Sequence, residues 1–415
     1  MPGISCEPLA SAQHNAIVNH ATSTAPINLQ VVQPVVPHYR LPFFDGVAAR
    51  SNLRLRLLAS PRIAGNPDSV AVPKGYADTS LPCLEFAGGR LLWQWGLDLD
   101  PSLGRGDVLV LEGNPRFASN LPLLLAARRR GVAVVWWGHG WSATSRPWRA
   151  RLRRTLMRLA DVVVLYTEDE RRQLIEQGFA PERVYALNNA LDQSTIRHAA
   201  KAWTRDALAG FRKLHGVEDC RLLLFCGRLR RDPPTDLDVA LAALARLAAS
   251  DSTYRLAVIG DGPDAARLAA RARMLGVGTQ VHWVGALYDE AQLAPWFLSA
   301  RCFVYPGPIG LSLLQAFGYG LPVITHGSRE QHNPEIAALR EGGNGLTFPR
   351  GDACALADRI ARVCSDEDFR SGLATAARRT VETEYTLEGM LERFTAAVDA
   401  ARRLQRTPES GRTHG

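Results

Sequence analysis

The chain has almost no lysine. Of 49 basic residues only Lys74, Lys201 and Lys213 are lysines, and the rest are arginine. A skew this complete reflects codon usage more readily than function. Cysteine is sparse too: seven residues, an odd number, with no C-x-x-C spacing. That excludes a disulfide framework and a zinc site, and scattered cysteines in apolar strands suit a reducing cytoplasm. No apolar run approaches the roughly 20 residues of a spanning helix; the longest are blocks such as "LPLLLAA". The first residues lack an apolar h-region, so no signal peptide is read there. Residues 1–26 are expected as a disordered lead and 406–415 as a disordered tail. No G-x-G-x-x-G follows the first strand and no phosphate-loop lysine motif exists, which disfavours a dinucleotide oxidoreductase and a P-loop nucleotidase.

What is present describes a globular α/β protein. The 415 residues allow roughly two to three domains. Hydrophobic residues make up 46% and charged residues 22%, and the net charge of +8 favours anionic partners such as nucleotides, phosphates and acidic lipid surfaces. From residue 27 apolar strands alternate with helical patterns: "INLQVV", "LRLRLL", "DVLVLEG", "VAVVWW" and "DVVVLYT", then "RLLLFC", "YRLAVI", "QVHWVG", "RCFVYP" and "PVIT". Such alternation predicts two doubly wound parallel sheets covered by helices. The expected division is 27–200, 201–385, and a last helix over 386–405 packing back, with a hinge in the polar stretch 193–216. Two such domains enclose a cleft, and ligands bind beyond the carboxyl ends of the strands.

Several motifs stand at such ends. In "YPGPIGLSLLQAFGYGLPVITHG" a glycine loop precedes a short helix. Gly307 and Gly310 allow close approach to the backbone, Ser312 suits a helix cap, and the free N–H groups at Gly310, Leu311 and Ser312 suit a diphosphate. Arg228, in "FCGRL", lies just past a buried strand where it can grip a phosphate, with Arg230 and Arg231 adding charge. His139, in "WWGHG", sits between glycines at a strand end, a better place for a site histidine than a strand interior. Two "DLD" triplets, at Asp98 and at Asp236, lie in a polar turn and on a helix with divergent sides, so no metal is expected. Residues 146–158, "RPWRARLRRTLMR", carry six arginines and no acid. On a helix Trp148, Leu152, Leu156 and Leu159 form one stripe, which fits either an anionic membrane surface or packing on the sheet.

Together these motifs resemble the family 4 glycosyltransferases, which have the GT-B fold of two facing Rossmann-like domains. The likeness is densest from "FCGRL" through "VIGDGP", "VHWVGAL" and the glycine loop to "PEIAALREGGNGLTF", and "PHYRLPFF", "EGNPRFASN", "WWGHG" and "NNALD" resemble the acceptor-side half. The resemblance implies a retaining, metal-independent transferase without other cofactor, moving a hexosyl group from a nucleotide sugar to a glycan or lipid-linked sugar. No nucleic acid is expected as a partner. The family commonly carries two glutamates in an E-x7-E pattern. Here Gly307 and Gln315 hold those positions, and the lysine usual after "GRL" gives way to "RLRRDPPTD", near Pro233. By the same resemblance Gln315 holds the ribose and Glu335 in "NPEI" lies near the donor sugar; on this reading His139 contacts that sugar, and Glu112 is the best carboxylate on the acceptor side for the acceptor hydroxyl. His38, Arg40 and Arg116 line the acceptor side. The expected location is cytoplasmic, or peripheral on the inner face of the plasma membrane. The alternatives are a non-catalytic nucleotide-sugar-binding protein and a GT-B sugar-nucleotide epimerase.

Overall fold

The computed structural model describes residues 26–63, 69–70, 75–140, 147–231 and 234–406. The expected lead up to residue 25, the expected tail from residue 407, Arg146 and Pro233 lie outside them. The chain runs β1 (Ile27–Val32), α1 (Leu41–Ala48), β2 (Leu53–Leu58), β3 (Ala77–Asp78), β4 (Cys83–Phe86), β5 (Leu91–Gln94), β6 (Val108–Glu112), α2 (Asn120–Arg130), β7 (Ala133–Trp137), α3 (Pro147–Leu159), β8 (Val162–Leu165), α4 (Glu168–Glu176) and β9 (Val184–Ala186). It continues with α5 (Gln193–Lys201), α6 (Arg205–Leu214), β10 (Arg221–Cys226), α7 (Leu237–Ser250), β11 (Tyr254–Ile259), α8 (Ala265–Met274), β12 (Val281–Gly285), α9 (Glu290–Ser299) and β13 (Cys302–Tyr305). The last elements are α10 (Ser312–Gly318), β14 (Val323–His326), β15 (Gly345–Phe348), α11 (Ala353–Ser365), α12 (Glu367–Thr383) and α13 (Leu387–Arg406).

Two parallel sheets result, ordered β3-β2-β1-β6-β7-β8-β9 and β12-β11-β10-β13-β14-β15. Their central strands are apolar on both faces, as sheets covered by helices require. β7 is fully buried along "AVVWW", and helices α1 and α13 cover one face of the first sheet through Phe43, Phe44, Leu391 and Phe394. The last helix therefore returns to the first domain. The strand order reverses beside β1 in one sheet and beside β10 in the other, and these switch points open the crevice at the strands' carboxyl ends.

Four local features differ from the sequence expectations. Helix α5, within the first half as read from the sequence, packs on the second core through Ile196 and Ala199, and Gln193 Nε2 donates to the Leu314 carbonyl at 3.3 Å; its apolar stripe follows the nearer core. Ser312 opens α10 as its first residue, and the capping position falls to Leu311, already helical at φ −56° and ψ −23°. In α3 the buried side chain is Met157, Leu156 and Leu159 pack on the sheet side, and Leu152 is 44% exposed. One apolar stripe is thus divided between core and solvent. The antiparallel hairpin β4–β5 has no counterpart in the strand list drawn from the sequence.

Candidate active site

The first half of the site is built at the ends of β6, β7 and β8. A Cβ at Gly113 would lie 2.6 Å from the Gly138 Cα, and the reverse contact is the same. Only glycine at both places lets the two strand ends touch, so the pair sets Glu112 and His139 side by side. Burial pushes the Glu112 carboxyl up to about 7, against the opposing charges of His139 and Arg40. His139 is held from below: its Nδ1 lies 3.6 Å from Glu170 Oε1, and the ring sits 4.7 Å from Tyr166. Glu170 is itself buried and accepts from the N–H groups of Gly140 and Tyr166, each at 3.1 Å. A carboxylate so tied fixes the loop that carries the histidine.

The second half is the glycine loop between β13 and α10. His332 Nδ1 accepts from the Ile309 N–H at 3.0 Å, and its Nε2 lies 2.8 Å from the His326 carbonyl. Both rings are buried and stacked, with centroids 3.8 Å apart. Burial lowers His332 to about 4 and His326 to about 3, so the neutral tautomer that accepts from Ile309 persists at neutral pH. Asn333 flanks the same loop, its N–H donating to the Ile309 carbonyl at 3.0 Å.

A polar relay joins the halves. Arg40 lies over the rings of Tyr39, Trp137 and Tyr166 at 5.8–6.0 Å and donates to Asn189 Oδ1 at 2.5 Å. Asn189 in turn donates to the Glu335 carboxylate of the other domain. Glu335 is 95% buried by its 5% exposure, so the loss of its donor is costly. Asn189→Ala is expected to destabilise the chain by about 1–3 kcal/mol. Chemical denaturation checks this, and an unchanged midpoint would mean that the relay holds nothing.

Between the halves lies a cavity of about 270 Å³. It gathers five residues named from the sequence, Arg40, His139, Gly310, Leu311 and Glu335, with Tyr39, Tyr166, Asn189 and Asn333. A neighbouring cavity of about 880 Å³ runs from His139 along α4 to the segment 329–337. Glu112 senses the charges of His139 and Arg40 and so belongs beside the smaller cavity. The other named residues stand elsewhere. Arg228 is exposed beyond β10. Arg230 and Arg231 line a separate pocket of about 260 Å³, where Arg231 Nε is 2.9 Å from Asp264. Ser312 is the first residue of α10. His38 is exposed at the rim, and Arg116 donates to the Gly89 carbonyl of the hairpin.

Gln315 has a partner that sequence reasoning missed. Its Nε2 donates to Glu290 Oε1 at 2.6 Å, and the Tyr319 hydroxyl donates to Glu290 Oε2 at 2.6 Å. A carboxylate from α9 thus stands against the motif position that lacks one. Tyr166, Asn189, Glu170 and His332 were also missed. Tyr166 and Asn189 follow β8 and β9, and the rule that sites gather at strand carboxyl ends would have flagged them; Glu170 and His332 carry no such signal.

Two family descriptions match this layout, one on each domain. Residues 35–195 match Glycosyltransferase Family 4, and residues 220–366 match Glycosyl transferases group 1. The chain belongs to the family 4-like glycosyltransferases of the GT-B fold. Among curated relatives it is 29% identical over 256 residues to a D-inositol 3-phosphate glycosyltransferase of Thermomonospora curvata, covering 58% of each chain. It is 28% identical over 140 residues to the lipopolysaccharide core biosynthesis glycosyltransferase LpsE of Rhizobium meliloti, covering 33% of this chain and 39% of that one. The chain spans little more than half the length of the first of these relatives. In fold it is similar to Anabaena HepE, solved in complex with UDP, with a TM-score of 0.64, 15% identity, and coverage of 90% of this chain and 100% of that one.

Proposed function

We propose that this glycosyltransferase moves a hexosyl group from a nucleotide sugar to an acceptor hydroxyl with retention at the anomeric carbon. The observation that carries the proposal is the cavity in which the glycine loop faces His139, Tyr166 and Arg40. The diphosphate rests on the N–H groups of Gly310, Leu311 and Ser312, and Arg228, with Arg230 behind it, neutralises charge as the diphosphate leaves. Arg231 is shared with Asp264 and adds to the field. Gln315, backed by Glu290, takes the ribose hydroxyls. His139 and Glu335 lie at the donor sugar. His38, Arg40 and Arg116 border the acceptor, and ionised Glu112 accepts a hydrogen bond from the attacking hydroxyl. The acceptor oxygen bonds to the anomeric carbon on the face from which the phosphate oxygen departs, and that oxygen takes the acceptor's proton. The arginine and helix-start charges do the work of an ion, so we expect transfer without metal.

For the acceptor we propose a lipid-linked glycan of surface polysaccharide assembly, reached on the inner face of the plasma membrane. The similarity to LpsE and the arginine-rich α3 support this reading. A screen of UDP-, GDP-, ADP- and dTDP-sugars by ligand-observed NMR tests the donor site. One donor is expected to bind wild-type protein and to be lost in Arg228→Ala, with slow release of free sugar in EDTA. Binding without turnover would leave a nucleotide-sugar-binding protein, and no binding by folded protein would remove the transferase reading.

A further inference from the structure

The hairpin β4–β5 turns a wholly apolar face outward. Its register pairs Leu84 with Trp93 and Phe86 with Leu91 on one side, and Cys83 with Gln94 and Glu85 with Leu92 on the other. The second side is the anchor. Leu92 packs with Val35, Ile63 and Phe117, and Cys83 lies against them, while Gln94 Nε2 donates to the Gln33 carbonyl and the Ser60 hydroxyl at 3.0 Å. The first side has no such cover: Leu84, Phe86 and Leu91 are 42%, 48% and 43% exposed, and Trp95, next on that side, is 63% exposed. Single exposed hydrophobes are ordinary, but a contiguous set of large ones marks a contact surface. No core requirement explains the set, because the inner side alone fastens the hairpin.

Helix α2, beside the hairpin, carries two further exposed leucines. Leu92 donates its N–H to the Arg116 carbonyl at 2.7 Å, and the Gln94 N–H donates to the Ser119 hydroxyl at 3.3 Å, so the hairpin is joined to the start of α2. There Leu121 and Leu125, one helical turn apart, are 45% and 43% exposed. Beyond them the helix ends in basic charge, while the hairpin itself carries one exposed acid, Glu85. Arg128, Arg129 and Arg130 end α2, all exposed, and Arg128 donates to the Leu159 carbonyl at the end of α3 at 2.7 Å. α3 carries exposed Arg149, Arg151 and Arg158 and no acidic residue. The tip of the hairpin adds exposed Arg90.

We infer that the outer face of this hairpin docks into the headgroup and upper acyl region of an anionic lipid bilayer. Aromatic and leucine side chains enter the interface while neighbouring arginines meet the phosphates. Tryptophan suits that depth because its ring is apolar and its N–H is not. The hairpin stands beside the loops after β1 and β6, so docking brings the acceptor side of the cleft to the membrane surface. The partner is the surface itself, and the inference holds whatever the donor proves to be.

Co-sedimentation of the full chain with phosphatidylcholine vesicles containing about 30% phosphatidylglycerol tests it, with donor binding measured in parallel. Wild-type protein is expected to pellet with the vesicles. The double variant Phe86→Ser/Trp95→Ser is expected to lose about tenfold or more in partitioning, with its circular dichroism, thermal midpoint and donor binding kept. In a second measurement, brominated lipid is expected to quench wild-type tryptophan fluorescence more strongly than that of Trp95→Phe, a variant that preserves an aromatic ring. Wild-type protein left in the supernatant, equal partitioning of both proteins, or a wild-type dimer in sedimentation velocity that the double variant lacks would each overturn the inference. The last outcome would assign the face to a second copy of the chain.

Discussion

Glu112→Gln is expected to make the protein more stable at about pH 8 and to cut transfer about a hundredfold or more. The two effects share one cause. The Glu112 carboxyl rises from 4.5 in an unfolded chain to about 7 in the fold, because burial outweighs the help of His139 and Arg40. A carboxyl that is harder to ionise when folded costs stability wherever the unfolded chain is ionised. The cost is absent below about pH 4.5, grows as pH rises towards 7, and is complete above 7. It amounts to up to about 3 kcal/mol. Glutamine removes it, so the gain is expected at about pH 8 and not at about pH 4. Wild-type activity is expected to rise with pH through about 7, as the carboxylate proposed to meet the acceptor hydroxyl forms, and the variant is expected to lose that limb. Denaturation at the two pH values and a pH–rate profile check both halves. A variant less stable than wild type at about pH 8 would mean that the carboxylate is ionised and well paired in the fold.

Restoring the family's two glutamates is expected to harm the protein. A Cβ at Gly307 would lie 2.7 Å from the Pro234 carbonyl oxygen and from the Thr235 backbone. That segment does not yield easily: Thr235 is buried, and its N–H donates to the Arg230 carbonyl at 3.1 Å. The space where a carboxylate would stand is therefore occupied by backbone. Gly307→Glu is expected to cost about 3 kcal/mol by overpacking. At the other position Gln315→Glu would face Glu290 across the 2.6 Å now spanned by a hydrogen bond. Two carboxylates there cannot both ionise, so one must hold a proton or the pair must part. The double variant is expected to melt several degrees lower, with no gain in donor affinity. A double variant as stable as wild type, with tighter donor binding or faster turnover, would show instead that this site is a weakened form of the family's. The present geometry points the other way, to a site rebuilt around glycine at 307 and a borrowed carboxylate from α9.

Much of the candidate site was legible because it is local in the chain. His139 between glycines and the loop before α10 lie at strand carboxyl ends, where a parallel sheet opens its crevice, while Glu335 in "NPEI" was read from the family resemblance. The cavity brings His139, Gly310 and Glu335 together as neighbours. Arg231 shows the limit. Its place after β10 follows from the sequence, but Asp264, which binds it, lies 33 residues away. Helix α3 shows the same thing: the arginines are plain in the sequence, yet which face of its apolar stripe goes to the core depended on the sheet beneath.

The sequence by itself determined the alternation of strand and helix, the two parallel sheets and the glycine loop, because periodicity, chain breakers and β-branched runs act over a few residues. Only the tertiary structure decided that Gln315 would meet Glu290, that Pro234 and Thr235 would fill the space beside Gly307, that Glu112 would hold its proton near neutrality, and that the hairpin would turn four large apolar side chains to solvent. Each of these depends on burial, charge or space contributed by segments far apart in the chain, and no local pattern encodes what a distant segment will bring.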